Sequence, residues 1–198
     1  MFGLYITHPQ VQIDPAVPVP KWGLSEIGYA RAEATARQPW VRTLGRIVSS
    51  DETKAIETAN LLAGAAGVAI ETDDTMGEND RSATGFLPPP EFERAADWFF
   101  ANPNESFNGW ERAVDAQARI SAAVFRILDE HDAKIPIAFV GHGGVGTLLK
   151  CKLGGTAISR SADQKGGGGG NLFAFRLADR ALTCDWTPME FWQGVTAT

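Results

Sequence analysis

Two of the chain's three histidines, His8 and His142, each follow a short apolar run, Phe2 to Thr7 and Ile135 to Val140, and a hydroxyl pair, Ser49-Ser50, follows a third run. Runs of this kind read as strands, and in open α/β sheets ligands bind just beyond the carboxyl ends of the strands. His142 is followed by Gly143-Gly144 at the start of an apolar helical stretch, which frees backbone N–H groups to face an anion and lets the chain approach it closely. Ser50, Asp51 and Lys54 fall in the first turn of another helix, from which an ammonium can join the same anion. Two imidazoles, free N–H groups and one cation would then surround a common anion.

Other chemistries are weaker. Gly141, Gly143 and Gly146 fit G-x-G-x-x-G between a strand and a helix, the pattern of a dinucleotide fold. The pattern comes late in the chain, however, and no convincing strand delivers Asp163 to a ribose. No H-E-x-x-H and no P-loop occur, and Asp73-Asp74 reads as a solvated loop. Metal hydrolysis and nucleotide binding through a Walker motif therefore lack a sequence basis.

The elements that must position these groups alternate. After the first strand, Ser25 is expected to cap a helix through Ile27, Ala30 and Ala34 that Pro39 terminates. A second strand over Arg46 to Ser49 leads to a helix capped by Ser50 or Asp51, with Ala55, Ala59, Leu62 and Ala66 on one stripe, ended by Gly64 and Gly67. Val68 to Glu71 is a third strand, and Thr72 to Pro90 a long irregular loop of the sort that carries function. Helical patterning resumes at Glu91, and Trp110 to Leu128 forms a longer helix with Ala113, Ala116, Ile120, Val124 and Ile127 on one face. Ile135 to Val140 is a buried strand, Val145 to Leu153 a helix, and Leu172 to Phe175 with Ala181 to Trp186 a hairpin around Ala178-Asp179. The sum is an α/β three-layer sandwich: a mainly parallel central sheet with an antiparallel edge and helices on both faces. The run Gly166 to Gly170 reads as a flexible loop in preference to a phosphate cradle, and Trp22, Phe86 and Trp110 as core in preference to the lining of an organic leaving-group pocket.

Composition bounds the rest. A chain of 198 residues is expected to form a single domain over 1–198, with 44% hydrophobic and 21% charged residues excluding wholesale disorder. A net charge of −6 gives no reason to expect nucleic acid or an anionic membrane as a partner. Cys151 and Cys184 form no CxxC and are expected to be free thiols. The opening residues lack a basic segment followed by an apolar core, and no run approaches the length of a membrane span, so a cytoplasmic location is expected.

The order of these features resembles the histidine phosphatase superfamily, the phosphoglycerate-mutase-like fold. Thr7-His8-Pro9-Gln10 stands where that family writes Arg-His-Gly and a polar residue, and Leu24-Ser25-Glu26-Ile27-Gly28 is similar to its Leu-Thr/Ser-x-x-Gly helix start. Ser49-Ser50-Asp51-Glu52-Thr53-Lys54-Ala55-Ile56-Glu57-Thr58-Ala59 is similar to its Ser-Ser-x-x-x-Arg-Ala-x-x-Thr-Ala stretch, and Val140-Gly141-His142-Gly143-Gly144-Val145 to its second-histidine motif. The resemblance implies His8 as a nucleophile that becomes a phosphohistidine and His142 as its electrostatic partner. It also implies an acid from the loop after the third strand, Glu78 with Asp80 second. Thr7, Gln10, Lys54, Arg81 and Gly143 would bind a small phosphorylated substrate, without metal or cofactor.

Three departures follow from the same alignment of motifs: Thr7 and Lys54 replace arginines, and Pro9 replaces a glycine. A lysine lacks the planar fork that grips two phosphate oxygens, and losing one preorganised donor costs about 2.7–4 kcal/mol of transition-state stabilisation. Arg81 or Lys165 are the candidates to compensate. The leading expectation is a phosphomonoester hydrolase. The alternatives are a catalytically silent module that binds a phospholigand and a phosphoglycerate-type mutase, the compact middle loop favouring a phosphatase over a mutase.

Overall fold

A computed structural model of the chain describes residues 1–194; positions 195–198 of the expected domain lie outside the described residues. One six-stranded sheet runs in the order β3-β2-β4-β1-β5-β6, built from β1 (Phe2–Thr7), β2 (Arg46–Ser50), β3 (Ile70–Asp73), β4 (Ile137–Gly141), β5 (Asn171–Arg176) and β6 (Leu182–Pro188). β1 to β4 are mutually parallel, and β5 and β6 run antiparallel along one edge. The helices are α1 (Glu26–Ala36), α2 (Thr53–Ala66), α3 (Pro89–Ala101), α4 (Ala113–Asp129) and α5 (Gly143–Leu153).

Strand alternation divides the core into two layers. Tyr5, Phe139, Phe173 and Phe175 face α3, α4 and α5, whereas Leu4, Ile6, Ala138, Val140 and Leu172 face α1 and α2. β4 is buried along its whole length, as a parallel strand covered on both faces must be. The fully buried aromatic side chains of the strands lie on the first face and smaller aliphatic ones on the second, where Trp40 and Trp192 pack from outside the sheet. Among the described residues, no helix is long and apolar enough to cross a membrane, and both cysteines are free.

Local signals mostly hold, with four shifts. Ser25 caps α1 by accepting the Gly28 N–H at 3.2 Å, but the helix buries Gly28, Ala32 and Thr35 and leaves Ile27 64% exposed. The reason is contact at Gly28, where a Cβ would stand 2.1 Å from the Gln10 carbonyl oxygen. The Ser50 or Asp51 cap of α2 is not made; Glu52 occupies the cap position without a side-chain bond, because the Ser50 hydroxyl serves the site described below. β3 lies two residues further along than expected. The proline run opens α3 instead of closing the loop, since Pro89 at the first helical position has a preset φ and no N–H to leave unpaired.

Candidate active site

Sheet register brings the chemical groups together. Thr7 pairs with Gly141 and Ser49 with Val140, so the next residues, His8, His142 and Ser50, emerge side by side at the carboxyl edge. The His8 N–H donates to the Gly141 carbonyl at 2.9 Å, and the two imidazole centroids lie 5.3 Å apart at 69°. Tyr5 underpins the second histidine: its hydroxyl accepts the His142 N–H at 3.1 Å and donates to the His142 carbonyl at 3.3 Å. A Cβ on Gly141 would sit 2.4 Å from that hydroxyl, and one on Gly146 2.4 Å from the Tyr5 ring. Two glycines of the G-x-G-x-x-G pattern thus make room for a tyrosine. Asp163, which a dinucleotide reading would send to a ribose, accepts the Thr147 hydroxyl and the Gln164 N–H, both at 2.8 Å.

The hydrogen bonds set the tautomers. His8 Nδ1 lies 2.8 Å from the Pro9 carbonyl, which can only accept, so Nδ1 carries the proton and Nε2 keeps the lone pair. Proline in the motif's third position preserves this bond because the acceptor is backbone. Burial, then the neighbouring His142 and Lys54, pushes His8 down to about 3, so the ring is neutral near pH 7. His142 is fully buried; its Nε2 lies 2.9 Å from Ser50 Oγ and 3.4 Å from Glu52 Oε1, and its Nδ1 has no partner. Burial lowers its pKa, opposed by the Glu52 and Glu78 carboxylates.

Glu52 is the hub that sequence reasoning missed, although it lies inside the second motif. Its carboxylate pairs with Lys54, approaches His142 and accepts the Glu78 N–H at 2.9 Å. Burial works against its charge, but His142, Lys54 and the Glu78 N–H outweigh it and hold the carboxyl at about 2. Lys54, 4% exposed, donates its remaining reach to the Val19 carbonyl at 2.9 Å. It is not the free ammonium expected from the helix turn.

Glu78 stands on the N-terminus of α5, where the sequence analysis expects an anion. Its oxygens accept the N–H groups of Gly144 at 3.1 Å and Val145 at 3.0 Å, and that of Asn79 at 3.1 Å. Arg119 of α4 ties the loop down through the carbonyls of Thr75, Gly77 and Glu78 and pairs with Glu111. A cavity of about 360 Å³ opens over these groups, lined by His8, Gln10, Glu78, Arg81, Gly143 and Gly144, with Arg160, Gln164 and Gly166 to Gly169 completing the wall.

This arrangement can be set beside known proteins. The chain matches the family model described as histidine phosphatase superfamily (branch 1) over residues 14–168. It belongs to that superfamily. The matched span begins after His8, which the pairing of β1 with β4 places beside His142. Among solved structures, a mycobacterial glucosyl-3-phosphoglycerate phosphatase with inorganic phosphate is similar over 96% of this chain and 99% of its own, at 22% identity and TM-score 0.78. Bacillus stearothermophilus YhfR is similar over 95% and 98% at 17% identity and TM-score 0.75, and an alpha-ribazole phosphatase from Shigella flexneri over 100% of both chains at 15% and 0.71. These likenesses establish the fold. No curated protein matches the chain.

Within the histidine phosphatase frame the remaining expected residues divide. Thr7 is wholly buried; its hydroxyl donates toward Gln164 Oε1 at 2.9 Å and accepts the Asn171 N–H at 3.0 Å, so it joins β1 to β5 and faces no ligand. Gln10 lines the cavity and accepts from Arg31 at 3.1 Å. Arg81 lines it with its guanidinium 4.9 Å above the Phe92 ring, and among the described residues no carboxylate pairs with it. Lys165 is exposed and does not line it. Asp80 faces an adjoining outer chamber, its carboxylate accepting the Ser82 N–H at 2.8 Å.

The glycine run, expected as a flexible loop, is fitted against its neighbours from Gly168 to Gly170, whereas Gly166 and Gly167 have open space around them. Gly170 donates to the His8 carbonyl at 3.0 Å, and a Cβ on Gly169, whose φ is 69°, would stand 2.2 Å from that oxygen. Arg31 clamps the Gly169 and Gly170 carbonyls at 2.9 Å and pairs with Glu190. Arg160, also unforeseen, reaches the cavity already paired with Glu93 and Asp163. Isolated arginines in helical or loop sequence carry no local signal of such roles.

Proposed function

We propose that the protein is a metal-independent phosphomonoester hydrolase in which His8 forms a phosphohistidine. The observation that carries this reading is the pair of imidazoles at the ends of β1 and β4, with His8 neutral and its Nε2 lone pair left free by the Nδ1–Pro9 bond. Similarity to structures described as phosphatases supports it.

The entering phosphate monoanion gives its proton to Glu78, His8 Nε2 attacks phosphorus in line, the P–O bond to the leaving alcohol breaks, and that oxygen takes the proton from Glu78. Water then attacks the phosphohistidine as Glu78 takes its proton, and the departing phosphate carries that proton away, leaving His8 and the Glu78 carboxylate restored. The Arg81 guanidinium and the residues Gly143 and Gly144 line the cavity where charge develops on the equatorial oxygens, and His142, buried behind them, acts on that charge from the wall. Because Glu78 occupies the Gly144 and Val145 N–H groups, the entering phosphoryl group must displace it, which frees the carboxyl for the leaving oxygen.

Phosphate release from a panel of phosphomonoesters in the presence of chelator, with trapping of acid-labile phosphoenzyme, tests the reading. The expected result is turnover and a trapped phosphate, both reduced at least about 1,000-fold in His8→Ala. Full activity in His8→Ala overturns it. One observation favours a second reading, a silent phospholigand-binding module: Lys54 is held by Glu52, leaving Arg81 the unpaired guanidinium of the cavity. That reading predicts no release and no trapping, with phosphate still raising the melting temperature.

A further inference from the structure

A second chamber adjoins the first and differs from it in chemistry. It has a volume of about 600 Å³, inside the roughly 300–1,000 Å³ of small-molecule sites, and shares Glu78, Asn79, Arg81, Phe92, Glu93 and Trp110 with the inner cavity. Trp22, Phe86 and Leu87 form much of the remaining wall. The sequence reading assigns Trp22, Phe86 and Trp110 to the core; here they line the chamber, though the two indoles are also well buried.

Their polar atoms are turned elsewhere. The Trp22 indole N–H donates to the Asp14 and Val17 carbonyls at 2.9 Å, and that of Trp110 to Thr84 Oγ1 at 2.8 Å, so apolar carbon faces the space. Phe86 meets Trp22 edge-on at 5.6 Å yet stays 36% exposed, and Ile13 on the rim is 50% exposed. Among the described residues Arg81 is the one cation lining the chamber, beside the carboxylates of Glu78 and Asp80 and those of Glu52 and Glu93, which are paired with Lys54 and Arg160 behind the wall. Arg81 lies at the junction, over Phe92 and Trp110, where it can serve the phosphoryl group.

We infer that this chamber receives the leaving group and selects a bulky apolar or aromatic alcohol that carries no second negative charge. The inference rests on the phosphomonoesterase reading for the word "leaving". The apolar walls supply the binding, and the carboxylates reject a substrate with a further carboxylate or phosphate, which would find no partner beyond an arginine already engaged. Asn79 Nδ2, buried at the junction without a hydrogen-bond partner, is a donor for the ester or alcohol oxygen.

Binding of non-hydrolysable phosphonates, followed by tryptophan fluorescence and calorimetry, tests selectivity without requiring turnover. 1-Naphthylmethylphosphonate is expected to bind at least about tenfold more tightly than methylphosphonate or 3-phosphonopropionate. Phe86→Ala should narrow the preference for naphthyl over methyl about fivefold, and Ser82→Lys, a change at an exposed position on the chamber wall, should improve 3-phosphonopropionate relative to methylphosphonate. Equal binding of the three ligands, or tighter binding of the carboxylated one, overturns the inference. Naphthyl preference without hydrolysis of any phosphomonoester would uphold the chamber's selectivity and defeat the phosphatase reading. Turnover that favours 3-phosphoglycerate over 1-naphthyl phosphate would do the reverse.

Discussion

Glu52 and Lys54 form a buried ion pair whose two charges depend on each other and on His142. Removing one charge leaves the other desolvated, so Glu52→Gln should destabilise the protein by about 3–5 kcal/mol. The double variant Glu52→Gln, Lys54→Met should recover much of that loss, because neither charge then remains in the interior. Denaturant titration of the two variants and the parent checks both statements. Loss of the carboxylate also removes the influence that favours the protonated form of His142, so the pKa of that ring should fall further in the double variant, read by NMR titration.

At the scale of elements, the turn from β4 into α5 is shaped by Tyr5 on the neighbouring strand. Gly141→Ala places a methyl 2.4 Å from the Tyr5 hydroxyl oxygen, and overpacking of this kind costs about 1–3 kcal/mol. Tyr5→Phe, which removes that oxygen, should relieve most of the penalty; a double-mutant cycle on stability, with an interaction energy of opposite sign to the Gly141→Ala penalty, measures the coupling. Gly146→Ala approaches ring carbon instead, so Tyr5→Phe should leave its cost unchanged. The contrast separates steric from hydrogen-bonding roles of one tyrosine.

For the whole molecule, the site contributes an acid-labile share of stability. His8 is held at about 3 against an ordinary value of 6.5, so the unfolded chain takes up a proton below 6.5 that the folded one refuses until about 3. That contribution is complete above pH 6.5 and declines by about 1.4 kcal/mol for each pH unit as pH falls toward 3. Glu52, held at about 2 against 4.5, adds a second decline between those values. Stability should therefore be flat from pH 7 to 8, fall below 6.5 and steepen below 4.5. His142, whose pKa is also lowered, adds to the same decline, so His8→Gln should reduce the slope of its upper part without abolishing it, as seen in urea titrations at pH 7.5, 5.5 and 4.5.

Patterns carried by neighbours in the chain were legible without a structure. The strand Phe2 to Thr7, the strand expected over Ile135 to Val140 and found at Ile137–Gly141, the α4 stripe and the C-terminal hairpin follow from local periodicity and turn chemistry, and they place both histidines on one edge of an α/β sheet. The motif order around His8, Ser50 and His142 located the family for the same reason, since each motif is contiguous. What tertiary structure decided depends on residues far apart in sequence. Ile27 faces solvent because Gly28 must meet the Gln10 carbonyl, Lys54 is neutralised by a carboxylate that also reaches His142, and Thr7 turns to Asn171 across the sheet. The glycine run became fitted from Gly168 to Gly170 once Arg31 and the His8 carbonyl closed on it, and Trp22, Phe86 and Trp110 gained a common chamber by convergence of three separate segments. Periodicity records which face of an element is apolar, whereas the partner that meets each polar group is chosen by packing between segments.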